Sequence, residues 1–190
     1  FGADSGGSRA HSLQALVNKL QEHKDKLAKK KDKDDKDKKP SEQEKLLTGL
    51  LKGDKPLIAA ASRASDILNL IKIKKRFGLD LAISEAKDAT QVKQQLADAE
   101  VPVLMAVVDN LPGNFDSLHS SLDAAGELEK AGVKVGLLVH DSHMIYNMRL
   151  DAGNAVAYGM SHQGAIEAMT SNIADIFNLD AGEVAAGKPA

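Results

Sequence analysis

Apolar residues recur at helical spacing near the start of the chain, ahead of a segment that contains none. Residues 11–27 carry Lys, Gln and Glu between apolar positions at Leu13, Leu16, Val17, Leu20 and Leu27. Residues 29–39 contain only Lys and Asp, which predicts a mobile, solvated loop. Ser41 and Glu44 then form a capping-box pattern, which predicts a second helix that ends at Gly53.

From residue 55 onward, short aliphatic runs alternate with segments of helical spacing. The runs predict strands at 56–61, 79–84, 101–108 and 133–139. The helical patterns fall at 66–77, 88–96, 118–131, 148–158, 163–170 and 173–177, with Asp66 as a candidate cap of the first and Asp88 opening the second. Four strand–helix units in series predict an α/β fold with a parallel sheet and helices outside it. We therefore divide the chain into a helical segment at 1–54 and a βα-repeat domain at 55–190.

Composition and charge remove several classes of function. The net charge of −2 and the pI near 6.3 give no reason to expect a nucleic-acid partner. The lysines of 29–39 are offset by aspartates, and no aromatic residue lies among them for base stacking. No apolar run approaches the ~20 residues that cross a bilayer, and no signal peptide is visible, so we expect no membrane partner. The absence of cysteine excludes disulfides and thiolate metal sites.

The loops that follow the predicted strands hold the candidate chemistry. In parallel sheets the active site forms at the carboxyl ends of the strands. The richest loop is His140-Asp141-Ser142-His143, because a carboxylate between two imidazoles can ligate zinc or relay protons near neutral pH. In the alternative interpretation, Asp141 caps the next helix or forms an Asx-turn, and the two histidines are solvated.

Three further strand-end residues are candidates for lining a substrate pocket: Ser62, Glu85 and Asn110. Asn110 can equally stabilise a turn. Arg63 could bind an anion, but we expect it to pair with Asp66 on the adjoining turn. His119 is interpreted as an ordinary surface or helix-start histidine.

The C-terminal part of the chain resembles a known family. Residues 131–142, AGVKVGLLVHDS, resemble the last barrel strand of metal-dependent amidohydrolases, in particular the imidazolonepropionase-like branch. Further motifs of that branch have counterparts at 52–57, 62–67, 110–116, 152–160, 165–174 and 182–190. The resemblance covers roughly residues 45–190. Each motif is short, and their order and spacing together make the set specific.

This resemblance implies a (β/α)8 TIM-like barrel, of which the chain supplies the C-terminal half and ends at the return to a small β domain. The family hydrolyses C–N bonds, often in cyclic amides, with metal-activated water. Asp141 would correspond to the carboxylate after strand eight, which touches the metal and takes the proton from the attacking water. The implied cofactor is a divalent metal, with zinc as the first candidate.

The sequence departs from the family pattern at the metal ligands. It contains no His-x-His, and Ala60, Ala61 and Ser62 stand where a histidine is expected after the fifth strand. A similar position after the sixth strand holds Ser84 and Glu85. Asp141 and His143 fall short of the three protein ligands that a catalytic zinc site needs. Either the remaining ligands lie in another segment or chain, or tight metal binding has been lost.

Two hypotheses follow from these observations. The chain is part of an amidohydrolase-like enzyme and is inactive alone, or it is a non-catalytic α/β subunit for small-ligand binding or assembly. Because the chain opens with Phe1 and not with Met, we expect an N-terminal portion to precede it. Unpaired strand edges favour association. The expected partners are a small-molecule substrate and either the missing N-terminal half of the barrel or a second copy of the chain.

Overall fold

The computed structural model describes residues 7–31, 40–139 and 141–187. The α-helices are α1 (Arg9–Lys31), α2 (Glu42–Lys52), α3 (Ala64–Phe77), α4 (Lys93–Asp98), α5 (Ala124–Lys130), α6 (Met148–Ala157), α7 (His162–Met169) and α8 (Ser171–Ile176). The strands are β1 (Leu57–Ala60), β2 (Leu81–Ser84), β3 (Val103–Met105) and β4 (Val135–Leu137). Two 3₁₀ segments, Ala89–Val92 and Ser142–Asn147, precede α4 and α6.

The four strands form one parallel sheet in the order β1-β2-β3-β4. The register pairs Ile58 with Ala82, Ser84 with Leu104, and Leu104 with Gly136. Each strand runs into helical structure before the next strand begins, as the aliphatic runs predict. The predicted α/β fold with four parallel βα units is confirmed.

The predicted start and end of α2 are confirmed in detail. The Ser41 hydroxyl accepts a hydrogen bond from the Glu44 backbone N–H at 3.2 Å, and the Glu44 carboxylate accepts one from the Ser41 N–H at 3.0 Å. Gly53 ends the helix at φ 77°, a left-handed conformation that glycine adopts without steric cost. The division of the chain at residues 54 and 55 stays a prediction.

Three other helix boundaries differ from the sequence patterns. Helix α1 continues to Lys31, so an end at residue 27 is wrong and residues 29–31 of the expected loop are helical. Residues 32–39 of that loop lie outside the described residues. Helix α3 begins at Ala64, so Asp66 lies in its first turn and does not cap it. Helix α5 begins only at Ala124, after a loop in which the Ser117 hydroxyl accepts hydrogen bonds from two backbone N–H groups, each at 3.0 Å.

The main hydrophobic core lies on one face of the sheet, which we call the outer face. Alternate strand residues contribute its floor, at Leu57, Ala59, Leu81, Ile83, Val103, Met105, Val135 and Leu137. Apolar side chains of α3, α4, α5, α6 and α7 cover them. A second cluster joins α1 and α2 to the end of α3 through Leu20, Leu50 and Phe77. This arrangement accounts for the helical patterns in all of these segments.

The opposite face of the sheet, which we call the inner face, is covered differently. Ala82 and Leu104 pack there against Ile176 of α8, with Ile173 and Leu138 beside them. Two polar contacts fix α8 to β4 and the residue before it. The Asn172 amide donates to the Val135 carbonyl at 2.8 Å, and Lys134 pairs with Asp175 at 2.6 Å. Helix α8 therefore covers part of the inner face near β3 and β4.

No helix in the described part of the chain is long and apolar enough to cross a membrane.

Candidate active site

The loops after the four strands lie at one edge of the sheet because the strands are parallel. Three neighbouring cavities open at this edge. Glu85 lines two of them, one together with Ser62 and the other together with Asn110. Asp141 lines the third, which shares Ala106 and Leu138 with the Asn110 cavity. The structure thus brings four of the predicted site residues to one edge of the sheet, but not into a single pocket.

Asp141 lies on extended backbone directly before the second 3₁₀ segment, with φ −120° and ψ 134°. Its side chain makes no capping hydrogen bond to that segment, so the interpretation of Asp141 as a cap is wrong. Only its backbone carbonyl holds the turn, by accepting a hydrogen bond from the Met144 N–H at 2.9 Å. The exposed carboxylate lines a cavity of about 400 Å³, within the size range of small-molecule sites.

The Asp141 cavity combines apolar walls with acidic and amide groups. Its apolar lining comes from Ala106, Val108, Leu138, Val139, Met144 and Leu150, and its polar lining from Asp109, Asp141, Asn147, Asp151 and Asn154. The walls suit a small ring, and the amides can both donate and accept hydrogen bonds. Arg and Lys are absent from the described lining, so the cavity is acidic.

Asp151 is a buried carboxylate of this cavity that sequence reasoning did not single out. It is 5% exposed and lies in the first turn of α6. Its two oxygens accept hydrogen bonds from the backbone N–H groups of Val107, at 2.9 Å, and Val108, at 3.1 Å. Asp151 therefore ties α6 to the loop after β3. No local pattern marks this contact, because the partners lie about forty residues away in the sequence.

Glu85 and Asn110 border a small cavity of about 10 Å³ at the ends of β2, β3 and β4. Asn110 is 3% exposed, and its side-chain amide donates to the Ser121 carbonyl at 2.8 Å. The interpretation of Asn110 as a turn residue thus has direct support. Glu85 adopts a positive φ of 57°, unusual for a residue with a side chain. Beside it, the Lys87 ammonium donates to the Asp109 carbonyl at 2.9 Å.

Ser62 lines a separate cavity, which lies between α1 and β1 and also has a volume of about 400 Å³. An ion-pair network borders this cavity. Arg63 contacts Asp116, and Arg9 bridges Asp116 and Asp66 at 3.4 Å each. The expected pairing of Arg63 with Asp66 is therefore wrong. The loop after β3 brings Asp116 to Arg63, whereas the start of α1 brings Arg9 to Asp66.

His119 is not an isolated surface histidine. Its Nδ1 atom lies 3.1 Å from an oxygen of Asp88, and the other oxygen of Asp88 accepts a hydrogen bond from the Ala64 N–H at 3.1 Å. The Asp88 backbone N–H also donates to the Ser62 carbonyl at 2.8 Å. Asp88 directly precedes the helical segment that begins at Ala89, as predicted, but its carboxylate does not cap that segment and instead contacts the start of α3 and the loop after β3. One sequence signal for this contact is an aspartate in a strand-end loop.

Neither His140 nor His143 is seen to contribute a metal ligand to the Asp141 cavity in the described part of the chain. His140 lies outside the described residues. His143 is exposed in the 3₁₀ segment and is not among the residues that line the Asp141 cavity. Among residues 7–31, 40–139 and 141–187, no three His, Asp or Glu side chains are arranged to hold a metal ion.

Comparisons with known proteins agree with this architecture. The sequence model of the amidohydrolase family matches residues 20–190. A solved structure of an amidohydrolase from Thermotoga maritima MSB8 is similar, with a TM-score of 0.84 and 24% sequence identity. That match covers 96% of this chain and 49% of the Thermotoga chain, so this chain spans about half of its length. A comparison with curated proteins gives no match.

The predicted barrel relationship is confirmed as a partial TIM-barrel fold, in which the four parallel strands and their helices match part of the Thermotoga amidohydrolase. Since the family model matches all of the βα repeats as well as α2, the chain belongs to the amidohydrolase family.

Proposed function

We propose that the chain forms part of a metal-dependent hydrolase of the imidazolonepropionase-like branch, which cleaves the C–N bonds of cyclic amides. The observation that carries this proposal is the position of Asp141. Its exposed carboxylate follows the last strand and lines a cavity of about 400 Å³ between the loops after β3 and β4. This is the end of the sheet at which enzymes with parallel strands place their chemistry.

The side chains of the cavity suit a cyclic amide. Its apolar walls can hold a small ring, while Asn147 and Asn154 can pair with the N–H and carbonyl groups of the ring. Asp141 can accept a proton from a water molecule that attacks the carbonyl carbon. Asp151 has a different role, because its two oxygens are already bound to backbone N–H groups.

The family generally uses a divalent metal, but the described residues do not fit a complete metal site. The loops after β1 and β2 offer Ala61, Ser62 and Glu85 and no histidine ligand. Asp141 is therefore one acidic group of a larger site, and zinc or another divalent ion would need donors from outside the described residues. We assign no reaction step to a metal.

Turnover by the protein that contains this sequence tests the proposal. The protein would be purified from its own cells through an affinity tag, then assayed with hydantoin and dihydrouracil as cyclic-amide probes. We expect Asp141→Asn to reduce kcat/KM by about 100-fold or more, as for loss of a general base. Asp54→Asn, an exposed carboxylate between α2 and β1, is the matched control and should leave turnover unchanged.

Unchanged turnover and unchanged metal content in Asp141→Asn would remove Asp141 from the mechanism. The second candidate function is a non-catalytic subunit that binds a small polar ligand. It is favoured by the lack of a three-residue metal cluster in the described parts of the chain. Absence of turnover by the wild-type protein, together with probe binding that Asp141→Asn weakens, would establish this second function over the first.

A further inference from the structure

We infer that the substrate of the Asp141 cavity is a cyclic amide whose ring carries an uncharged aliphatic substituent. The substituent is held by three exposed apolar side chains of the cavity, Val108, Met144 and Leu150, which we call the apolar rim. The inference rests on the proposed function, because it names the class of substrate that the same cavity accepts. The rim side chains set the specificity, and they disfavour a charged group on the substituent.

The apolar lining of the Asp141 cavity has a deeper and a shallower part. Ala106, Leu138 and Val139 lie at the ends of β3 and β4 and are buried or half-buried. The rim residues lie further along the same connections, and their exposure runs from 36% for Met144 to 67% for Leu150. A cavity of about 400 Å³ is within the range that holds a drug-sized ligand, so a bare ring beside Asp141 leaves space. An aliphatic substituent fills that space and covers the rim.

The Asp151 carboxylate fixes the backbone of the apolar rim. Its two oxygens accept hydrogen bonds from the N–H groups of Val107, at 2.9 Å, and Val108, at 3.1 Å. Val108 is thus bound directly, and Leu150 precedes Asp151 in the first turn of α6. Two rim residues from different segments are therefore held in one arrangement. Side chains on such a fixed backbone are suited to select a substituent by its shape and polarity.

The charges of the cavity disfavour an acidic substituent. Asp109 and Asp141 bring carboxylates to the lining, and its described part contains no Arg or Lys that could pair with another anion. Lys87 lines the neighbouring Asn110 cavity, where its ammonium group donates to the Asp109 carbonyl at 2.9 Å. A carboxylate or an ammonium group placed against the apolar rim would lose its hydration there. An aliphatic group gains free energy from the same burial.

Hydrolysis of four hydantoins by the protein that contains this sequence tests the inference. One compound is unsubstituted, and the others carry an isobutyl, a carboxyethyl or an aminopropyl group at the same ring carbon. We expect kcat/KM for the isobutyl compound to exceed that for each of the other three by about tenfold or more. The reason is that a buried aliphatic group adds binding that a bare ring lacks and that a charged group offsets by its loss of hydration.

A variant pair assigns this preference to the apolar rim. Leu150→Lys places a cation on the rim and should reduce the ratio of kcat/KM between the isobutyl and carboxyethyl compounds by about tenfold or more. Leu46→Lys makes the same change at an exposed leucine of α2 outside the described lining, and should keep the wild-type ratio. Each ratio is measured within one protein sample, so a smaller folded fraction does not alter it.

The outcomes separate the inference from the hydrolase proposal. Turnover without a preference for the isobutyl compound, or with a preference that Leu150→Lys leaves unchanged, would overturn the inference and leave the hydrolase proposal intact. If the wild-type protein hydrolyses none of the four compounds, the hydrolase proposal fails. Calorimetric titration with the same compounds then decides the inference by binding alone. Tightest binding of the isobutyl compound, weakened by Leu150→Lys and not by Leu46→Lys, would support the inference, and any other result would overturn it.

Discussion

Asp151 shows at the scale of one residue how a buried charge can organise the mouth of a cavity. A carboxylate that is 5% exposed would be costly without partners, but both of its oxygens accept backbone hydrogen bonds. These bonds hold the loop after β3 against the start of α6, beside Asp141. The side chain therefore supports the shape of the cavity.

Replacement of Asp151 by Asn tests this role. One oxygen becomes an NH₂ group, so one backbone N–H of Val107 or Val108 loses its acceptor inside the protein. We expect the free energy of unfolding to fall by about 1–3 kcal/mol, measured by urea denaturation. The control Asp98→Asn changes an exposed carboxylate of α4 that accepts a hydrogen bond from the Gln94 side chain, and should shift stability by less than about 0.5 kcal/mol. Equal effects of the two substitutions would contradict the assigned role.

Individual site residues were predictable only where their position next to a strand in the sequence determines where they lie in the fold. Asp141 was accessible to sequence reasoning because it follows an aliphatic strand, and strand ends share one edge of a parallel sheet. The pair of Asp88 and His119 was not, since its members lie 31 residues apart and meet only in the folded chain. The roles predicted for Ser62, Glu85, Asn110, His140 and His143 stay predictions.

Among the secondary-structure elements, α5 shows how two close-packed backbones can select glycine within a helix. A Cβ atom on Gly126 would lie 2.5 Å from the carbonyl carbon of Gly159, which is backbone and cannot turn aside. We expect Gly126→Ala to lower the free energy of unfolding by about 1–3 kcal/mol, despite the higher helix propensity of alanine.

Gly153 supplies the matched control, because it is also helical and a Cβ atom there meets nothing within 4 Å. Gly153→Ala should raise stability by up to about 1 kcal/mol. Thermal or urea unfolding of the two variants measures the difference. A stabilised Gly126→Ala protein would show that α5 and the turn before α7 are not in close contact in solution.

A salt bridge between Lys93 and Glu127 links the start of α4 to α5 and provides a pH-dependent contact. The hydrogen bond from Lys93, followed by the charge of its ammonium group, holds the pKa of Glu127 below its usual value. A lowered pKa in the folded state stabilises the protein above the unfolded-state pKa, and this contribution is lost as the pH falls through the folded-state pKa. We expect the stability difference between wild type and Glu127→Gln to shrink on acidification, as measured by urea unfolding across a pH series. Because the Glu127 side chain is 40% exposed, the effect should also weaken with salt. A difference that is independent of pH would exclude this contact as its source.

The element boundaries were predicted well where capping groups lie next to each other in the sequence, as for α2. They failed where a loop is held by contacts that compete with a helix. Residues 118–123 precede α5 as loop, although their pattern favoured a helix, because Asn110 and Ser117 fix the backbone of the loop after β3. Asp66 failed as a cap for a similar reason, since Arg9 of a distant helix engages it.

At the scale of the whole molecule, the βα alternation alone predicted the fold class. The reason is physical, because consecutive aliphatic strands separated by helices have few arrangements that bury both. The family model and the Thermotoga structure confirm the family and the partial barrel. The imidazolonepropionase-like branch and the substrate stay proposals.

Helix α8 packs closely on the inner face of the sheet at β4. Ile173 and Ile176 press against Gly136 so closely that a Cβ atom there would lie 2.8 Å and 3.2 Å from their tips. This packing covers the inner face of the sheet at β4 and leaves no room there for a side chain larger than glycine. We therefore expect substitutions in α8 to affect mainly folding. The loops at the carboxyl ends of the strands can vary in sequence, and so in specificity, without loosening this packing.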